Sequence, residues 1–278
     1  MKTLIIFFLA LILIISFAFI YDHPTKKISK SEECPAEPYE EFMLQRTYPN
    51  EAFDIKAYQS ALNDADLKSK QLRRQHVSSW TLEGPGNIGG RFNCLAVNPV
   101  NTDIMYAGSA NGGVWKTTDN GLSWIPIFDD IPYQAIGAIA INPSDPNEIW
   151  VGTGDLNISG TMYLGNGVYK STDAGLSWSY RGLATSYVVS SIIFNSANTS
   201  EVLIGTMGNS FSKDNNRGIY KTTNGGLSFT QCKFVNDSTG IIDMVQHPTN
   251  PSIIYASSFS RIRTNLFSII LGTEVNVF

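Results

Sequence analysis

Cysteine, histidine and charge are all scarce in this chain. Its 278 residues hold three cysteines and three histidines, and Asp, Glu, Lys and Arg together make up only 16%. Cys34, Cys94 and Cys232 are too few and too scattered for a disulfide framework, and none stands in a paired spacing that suggests zinc. Cys94, inside an apolar strand, reads as a small core residue. His23, His76 and His247 are dispersed, and His247 takes the Asn position of a repeated turn, a structural role. The sequence offers no metal set. It also lacks a phosphate-binding loop and a Gly-x-Ser-x-Gly elbow, so no cofactor is implied. A net charge of −4 gives no electrostatic reason to expect nucleic acid as a partner.

What is abundant is apolar and turn-forming. Hydrophobic residues reach 43% and aromatics 12%. Gly, Asn, Ser and Thr are plentiful, which points to a turn-rich β protein with one sizeable core. Residues 1–21, MKTLIIFFLALILIISFAFIY, form an unbroken apolar run after Lys2, intermediate in length between a signal peptide and an uncleaved span. Either reading places the rest of the chain outside the cytoplasm, with a membrane partner only through residues 3–21 if they stay uncleaved. Residues 22–50, rich in Pro, Glu, Lys and Ser, read as a linker. Residues 51–76 predict one amphipathic helix, capped by Asn50, with Phe53, Tyr58, Leu62, Leu67 and Leu72 packing on the main domain.

From Trp80 the chain repeats. NPVNTDIMYAGS (98–109), NPSDPNEIWVGT (142–153), NSANTSEVLIGT (195–206) and HPTNPSIIYASS (247–258) align without a gap, and their starts are 44, 53 and 52 residues apart. Each is a Pro/Asn/Asp turn leading into a buried strand. The expected strands A to D fall at 93–98, 104–109, 113–118 and 123–128, then 136–142, 149–154, 167–172 and 177–182, then 189–195, 202–207, 218–223 and 228–234. Four short antiparallel strands per repeat predict a β-propeller blade, and the missing helical periodicity excludes a helical solenoid. The blades are expected at about 91–128, 135–183 and 188–234, with a partial one at 240–278.

A second repeat sits between strands C and D: TTDNGLSW (117–124), STDAGLSW (171–178) and TTNGGLSF (222–229). Asp173 suits a carboxylate that binds the turn's own amides, Gly175 permits a positive φ, and Trp178 is expected to start strand D and pack on the neighbouring sheet. The sets Thr118, Asp119, Gly121 and Trp124; Thr172, Asp173, Gly175 and Trp178; and Thr223, Asn224, Gly226 and Phe229 are assigned this structural role. The pattern Ser/Thr-x-Asp-x-Gly-x-x-Trp resembles the Asp box of the bacterial neuraminidase repeat, found in sialidases, the sortilin amino-terminal propeller, photosystem assembly factors and xyloglucan-active glycosidases. WTLEGPGNIGGR (80–91) and YAGSANGGVWKTTDNGLSW (106–124) are also similar to the start of large secreted bacterial propeller proteins. The resemblance implies an all-β propeller over 79–278. The box is implied to be a staple on the face away from the ligand.

Ring closure has two readings. Residues 79–83 resemble a strand D that would complete the last blade. RIRTNLFSIILGTEVNVF (261–278) carries no box, and this abrupt stop favours an incomplete ring whose missing blades belong to a longer chain.

Ligand candidates follow from the blade topology, which puts B–C and D–A loops on one face and the boxes on the other. The long B–C loops and the D–A connections offer Asp155, Asn157, Tyr163, Asn209, Lys213, Asp214 and Arg217, with Asp129, Asp130, Tyr133 and Tyr187. Of these, Asp155, Asn157, Tyr163, Asp129, Tyr133, Tyr187 and Arg217 are expected to bind a glycan or an extracellular protein, without a catalytic residue. The alternative is a glycoside hydrolase of the Asp-box type, or a degenerate remnant of one. Against hydrolysis, xyloglucan-active relatives are similar in placing a catalytic Asp where Ala110 stands here, and only Arg91 could imitate part of a sialidase arginine triad. Asn157, Asn198 and Asn236 head glycosylation triplets.

Overall fold

A computed structural model describes residues 47, 54–73, 89–157, 163–263 and 268–269. The chain divides into residues 1–48 and 49–278, and the architecture below lies in the second unit. The apolar segment, the linker, the Asn50 cap and the closing strand at 79–83 lie outside the described residues.

The protein is built of β-propeller blades. Blade 1 contains β1 (Phe92–Val97), β2 (Met105–Ser109), β3 (Val114–Thr117) and β4 (Ile125–Pro126). Blade 2 contains β5 (Ile136–Asn142), β6 (Asp145–Thr153), β7 (Val168–Ser171) and β8 (Ser179–Gly182). Blade 3 contains β9 (Val189–Asn195), β10 (Asn198–Thr206), β11 (Gly218–Thr222) and β12 (Thr230–Lys233). Each is a four-stranded antiparallel meander in chain order. β13 (Thr239–Gln246) and β14 (Ile254–Ser260) pair as the inner half of a fourth blade, followed by the two-residue strands β15 (Ile262–Arg263) and β16 (Ser268–Ile269). Strands β5 and β9 match the expected bounds. Strand D is shorter than expected everywhere, and Trp178 precedes β8 instead of starting it. The outer strands have little to bury: β12 is exposed throughout, and β4 ends on Pro126, which has no amide to donate.

Packing between blades follows from one repeated glycine. Gly108, Gly152 and Gly205 occupy the same place in strand B of their blades. A Cβ there would meet Ile136 Cγ2 at 2.6 Å, Val189 Cβ at 2.6 Å and Ile241 Cγ2 at 3.0 Å, each on the inner strand of the next blade. The bare backbone lets successive blades close on one another. Apolar clusters fill the seams: Tyr106, Val114, Ile136 and Val151 between blades 1 and 2, and Trp150, Val189, Phe194 and Ile204 between blades 2 and 3.

The repeated C–D turn locks the same seams from outside. The Ser171 hydroxyl donates to Asp173 Oδ1 (2.7 Å) and accepts from the Gly175 amide (2.8 Å), while Asp173 Oδ1 accepts from the Ser177 amide (2.9 Å). Thr117 and Thr222 do the same with Asp119 and Asn224. The hydroxyl therefore belongs to Thr117, Ser171 and Thr222, all buried. Thr118, Thr172 and Thr223, the residues named for the box, are exposed one position later. The alternation of a strand explains the correction, since neighbouring side chains leave on opposite faces. The turn then reaches back to the preceding blade. Ala174, at φ 57°, accepts hydrogen bonds from Tyr106 Oη (3.2 Å) and Lys116 Nζ (2.9 Å). Trp178 Nε1 donates to the Ile127 carbonyl (2.7 Å), and its ring meets Phe128 edge-on at 5.1 Å. In blade 3, Phe229 meets Trp150 edge-on at 6.4 Å.

The helix α1 runs over Ile55–Arg73, inside the 51–76 expected, and residues 51–53 and 74–76 lie outside the described residues. Its cap is Asp54, whose Oδ1 accepts from the Ala57 amide at 3.0 Å. The side towards the blades is Ile55, Tyr58, Leu62 and Asp66, at spacings of three and four residues. Leu67 falls off that stripe and is 59% exposed, so it does not pack as expected.

Two outcomes follow. Ser171→Ala leaves a buried Gly175 amide without its acceptor and should lower unfolding stability by about 1–3 kcal/mol, whereas Thr172→Ala should stay within about 0.5 kcal/mol; urea denaturation of both variants checks this. Hydrogen bonds from the Ser123 and Ser177 hydroxyls, then from the Ser123 and Ser177 amides and from Thr117 and Ser171, hold the Asp119 and Asp173 carboxyls down to about 2, against an ordinary value of 3.8. Because the folded value lies below the unfolded one, the stabilisation is complete above pH 4 and is lost as pH falls towards 2. The urea midpoint should fall across that window, and Asp119→Asn with Asp173→Asn should flatten the fall, since Asn224 Oδ1 already accepts from Thr222 and the Ser228 amide, and its Nδ2 donates to the Ser228 hydroxyl, without titrating.

Candidate ligand cleft along the inner strands

The four inner strands share a defect. The ladder between strands A and B breaks register between Phe92 and Cys94, Ile136 and Ala138, Val189 and Ser191, and Ile241 and Asp243. One residue is skipped in each: Asn93, Gly137, Ser190 and Ile242. A bulge of this kind bends its strand and re-aims the next side chain, often beside a functional site. The bulged residues and those following them line a single cleft of about 370 Å3. Its floor carries Cys94, Ala138, Ser191 and Asp243 at equivalent positions of four blades. The Ser191 hydroxyl donates to Asp243 Oδ1 at 3.3 Å, and the Asp243 residue is exposed. Burial pushes the Cys94 thiol up to about 12, so it stays protonated and inert. Amide, hydroxyl and carboxylate groups therefore stand beside apolar Ile139 and Leu156.

One wall of the cleft is braced by an ion pair. Arg91 binds the Asp155 carboxylate with both guanidinium nitrogens, Nη1 at 3.1 Å from Oδ1 and Nη2 on Oδ2. Asn93 Nδ2 donates to the same carboxylate (3.1 Å) and to the Ile136 carbonyl (2.8 Å). The Asn157 amide adds a bond at 3.1 Å, and Asn157 Nδ2 donates to Asn93 Oδ1 at 2.9 Å. These contacts tie the entry to blade 1 to the B–C loop of blade 2. The hydrogen bond that Arg91 donates to Asp155 raises the pKa of the guanidinium further.

The sequence-derived candidates separate by burial. Asp155 is 3% exposed and saturated by Arg91, Asn93 and Asn157, so its carboxylate is a brace, unavailable to a ligand. Arg217 is 1% exposed, with its guanidinium on the carbonyls of Asn209, Ser212 and Arg261; desolvation lowers its pKa. Tyr133 is 3% exposed, with its hydroxyl 3.5 Å from Asn63 of α1. Tyr187 packs with Ile55 of α1, Leu164, Val188 and Met207. The helix thus covers the part of the B–C and D–A face that was expected to bind. Asn157 and Asp129 remain exposed, and Tyr163 is half-buried. Asp129 lies apart from the inner cleft, on a separate 320 Å3 cleft against α1. Ala110 is buried, and its amide bonds the Arg91 carbonyl at 2.9 Å.

Sequence reading missed Ser191 and Asp243. The available signal was Asp243 itself, a charge inside the apolar strand TGIIDMVQ. Among the described residues no helix is long and apolar enough to cross a membrane, and no group of His, Cys, Asp or Glu is placed to hold a metal ion.

No family model matches the chain. It is similar to the xyloglucanase Xgh74A of Acetivibrio thermocellus, 28% identical over 98 residues, covering 34% of this chain and 12% of that one. It is also similar to a xyloglucanase of Hypocrea jecorina, 32% identical over 123 residues, covering 34% of this chain and 14% of that one. The chain thus spans 12% and 14% of the length of these curated relatives. The crystal structure of an ancestral GH74 enzyme superposes with a TM-score of 0.51 at 22% identity, over 66% of this chain and 23% of that one, which supports the fold.

Removing the guanidinium in Arg91→Ala would strand a buried carboxylate. A fully buried pair loses about 3–5 kcal/mol on such a change; because the Arg91 side chain is 40% exposed, about 1–3 kcal/mol is expected. Arg91→Ala with Asp155→Asn should recover part of that loss in a double-mutant cycle by urea denaturation.

Proposed function

We propose that the chain is part of an exported, glycoside-hydrolase-type propeller whose ligand is a xyloglucan-like polysaccharide, and that the inner-strand cleft is where these blades bind it. The observation that carries the reading is the cleft of four aligned bulges, in a chain whose curated relatives are named xyloglucanases. A volume near 370 Å3, with an amide, a hydroxyl and a carboxylate beside apolar side chains, suits a sugar ring. Asn157, at the cleft wall, adds an exposed amide.

Binding is favoured over cleavage by the carboxylate inventory. Glycoside hydrolysis takes two carboxyl groups, about 5–10 Å apart, on opposite sides of one bond. Among the described residues lining this cleft the only carboxylate is Asp243, and the Asp155 carboxylate is held by Arg91. Hydrolysis is the second reading, with the other carboxyl supplied by polypeptide outside these blades.

Affinity electrophoresis in xyloglucan gels, run beside a reducing-sugar assay, tests both. The full chain should be retarded, Asp243→Ala should weaken retardation about tenfold, and no reducing ends should form. Equal mobility with and without xyloglucan would overturn binding. Release of reducing ends, lost in Asp243→Asn, would replace it with the hydrolytic reading.

A further inference from the structure

The box of blade 3 departs from the other two at its acid position, where Asn224 stands for Asp119 and Asp173. The hydroxyl and the serine amide that serve those acids serve it too, and a further amide joins them. Asn224 Oδ1 accepts from the Thr222 hydroxyl (2.9 Å), the Leu227 amide (3.1 Å) and the Ser228 amide (3.0 Å), while Nδ2 donates to Ser228 Oγ at 2.8 Å. Three donors about 3 Å from one carbonyl oxygen are the arrangement that stabilises the oxyanion of a tetrahedral intermediate. A side-chain amide held in this way is an activated electrophile.

A second observation concerns the nucleophile. The residue that follows is Gly225, whose backbone nitrogen can close a five-membered ring on Asn224 Cγ with no side chain in the way. In blades 1 and 2 the amide at this place is tied down: Asn120 donates to the Asp103 carbonyl and Ala174 to the Asn147 carbonyl, both at 3.0 Å. Ser200 holds the corresponding place in blade 3, and among the described residues no acceptor takes the Gly225 amide. Asn224 is exposed, so water reaches it.

The chain holds four Asn-Gly pairs, beginning at Asn111, Asn120, Asn166 and Asn224. Among them only Asn224 has donors on its side-chain oxygen. Asn166 Oδ1 is buried without a partner, and beside Asn120 the Gly121 amide is held by the Thr117 hydroxyl at 2.9 Å.

We propose that Asn224 is a self-modification site: the box converts it to aspartate with water as co-reactant, giving blade 3 the carboxylate that blades 1 and 2 already carry. The Gly225 nitrogen gives its proton to solvent and bonds to Asn224 Cγ. The side-chain oxygen, now an oxyanion, stays on the Thr222, Leu227 and Ser228 donors. The Cγ–Nδ2 bond breaks beside the Ser228 hydroxyl, which passes a proton to the departing nitrogen and regains one from solvent, and ammonia leaves. Water then opens the cyclic imide. Attack at Cγ, the carbonyl that the three donors polarise, breaks the new Cγ–N bond, returns a proton to the Gly225 nitrogen and leaves a carboxylate on an unaltered backbone. Attack at the other ring carbonyl would give isoaspartate, with the backbone rerouted through the side chain. The box selects the first. In sum, one amide and one water become one carboxylate and one ammonium ion. The product suits its seat, since the Ser123 and Ser177 hydroxyls already donate to the second oxygen of Asp119 and Asp173, and Ser228 stands in the same place.

The test ages the full chain at neutral pH, native and in denaturing urea, and digests it with trypsin. Residues 222–233 and 117–170 then report Asn224 and Asn120, each by the mass gain of amide to acid. Endoproteinase Asp-N, which cuts before aspartate but not before isoaspartate, reads the product. In the native chain Asn224 should convert about tenfold faster than Asn120, whose oxygen has no donor, and chiefly to aspartate. In urea the two should convert alike, with isoaspartate dominant. Ser228→Ala keeps the amide at 228 and removes only the hydroxyl; it should slow native conversion about tenfold. Asn224→Asp, the product made directly, should steepen the acid-side fall of the urea midpoint, because a third box carboxyl then titrates. Equal native rates at Asn224 and Asn120 would overturn the proposal. So would an isoaspartate share that is the same in the native chain and in urea, or a Ser228→Ala chain that converts at the parent's rate. An Asn224→Asp chain with the parent's acid sensitivity would put the product outside the box and overturn it as well. None of these readouts involves polysaccharide, so they stand apart from ligand binding.

Discussion

The knot of a buried hydroxyl, a carboxylate or amide oxygen and a glycine amide at each C–D turn is what the blade stack depends on. The turn has no apolar core of its own: Leu122, Leu176 and Leu227 are 89%, 85% and 76% exposed. It keeps its shape because Thr117, Ser171 or Thr222 satisfies the amide two residues past the acid, and the acid satisfies the serine two residues further still. A rigid turn can offer a fixed carbonyl, and Ala174 uses its own to engage Tyr106 and Lys116 of the preceding blade. Local hydrogen bonding is thereby converted into contact between sheets, which is the step a repeat protein needs in order to stack.

Inside the seam the same division of labour recurs in apolar form. Gly108, Gly152 and Gly205 remove side chains where the neighbouring inner strand must approach, and large residues such as Tyr106 and Trp150 fill the space nearer the turn. Trp150 is the clearest case. Its ring meets Phe194 and Phe229 edge-on, Lys170 lies 5.5 Å above its centroid, and its Nε1 donates to Glu148 Oε1 at 2.8 Å. An indole fully removed from water is thus satisfied on its face, its edge and its nitrogen.

Much of this was legible in the sequence because the signals are periodic. The alignment of 98–109, 142–153, 195–206 and 247–258 located every strand B, and the box located every C–D turn. Three things were not legible. The identity of the box hydroxyl hinged on one step of strand alternation, so Thr118 was named where Thr117 acts. The candidate ligand residues were chosen by loop length and chemistry, which cannot tell a carboxylate facing solvent from one already gripped by a guanidinium 64 residues earlier, and Asp155 is the latter. Finally, a helix of modest amphipathicity gives no hint of which face it will cover, and α1 covers Tyr133 and Tyr187.

The bulges connect fold to site. In a regular ladder residues 94, 138, 191 and 243 would be fixed by alternation alone, facing whichever side the core demanded. One skipped residue per inner strand breaks that constraint at a single level of the stack. Blade by blade, the freed position has taken a thiol, a methyl, a hydroxyl and a carboxylate. The residue before the bulge is apolar in every blade and fully enclosed in three of them, at Ile136, Val189 and Ile241, while Phe92 of blade 1 is 53% exposed. At this level a change of side chain alters what the cleft surface offers while Ile136, Val189 and Ile241 keep the seams packed. A repeat that is rigid in its seams and free at its bulges can change ligand while keeping its fold.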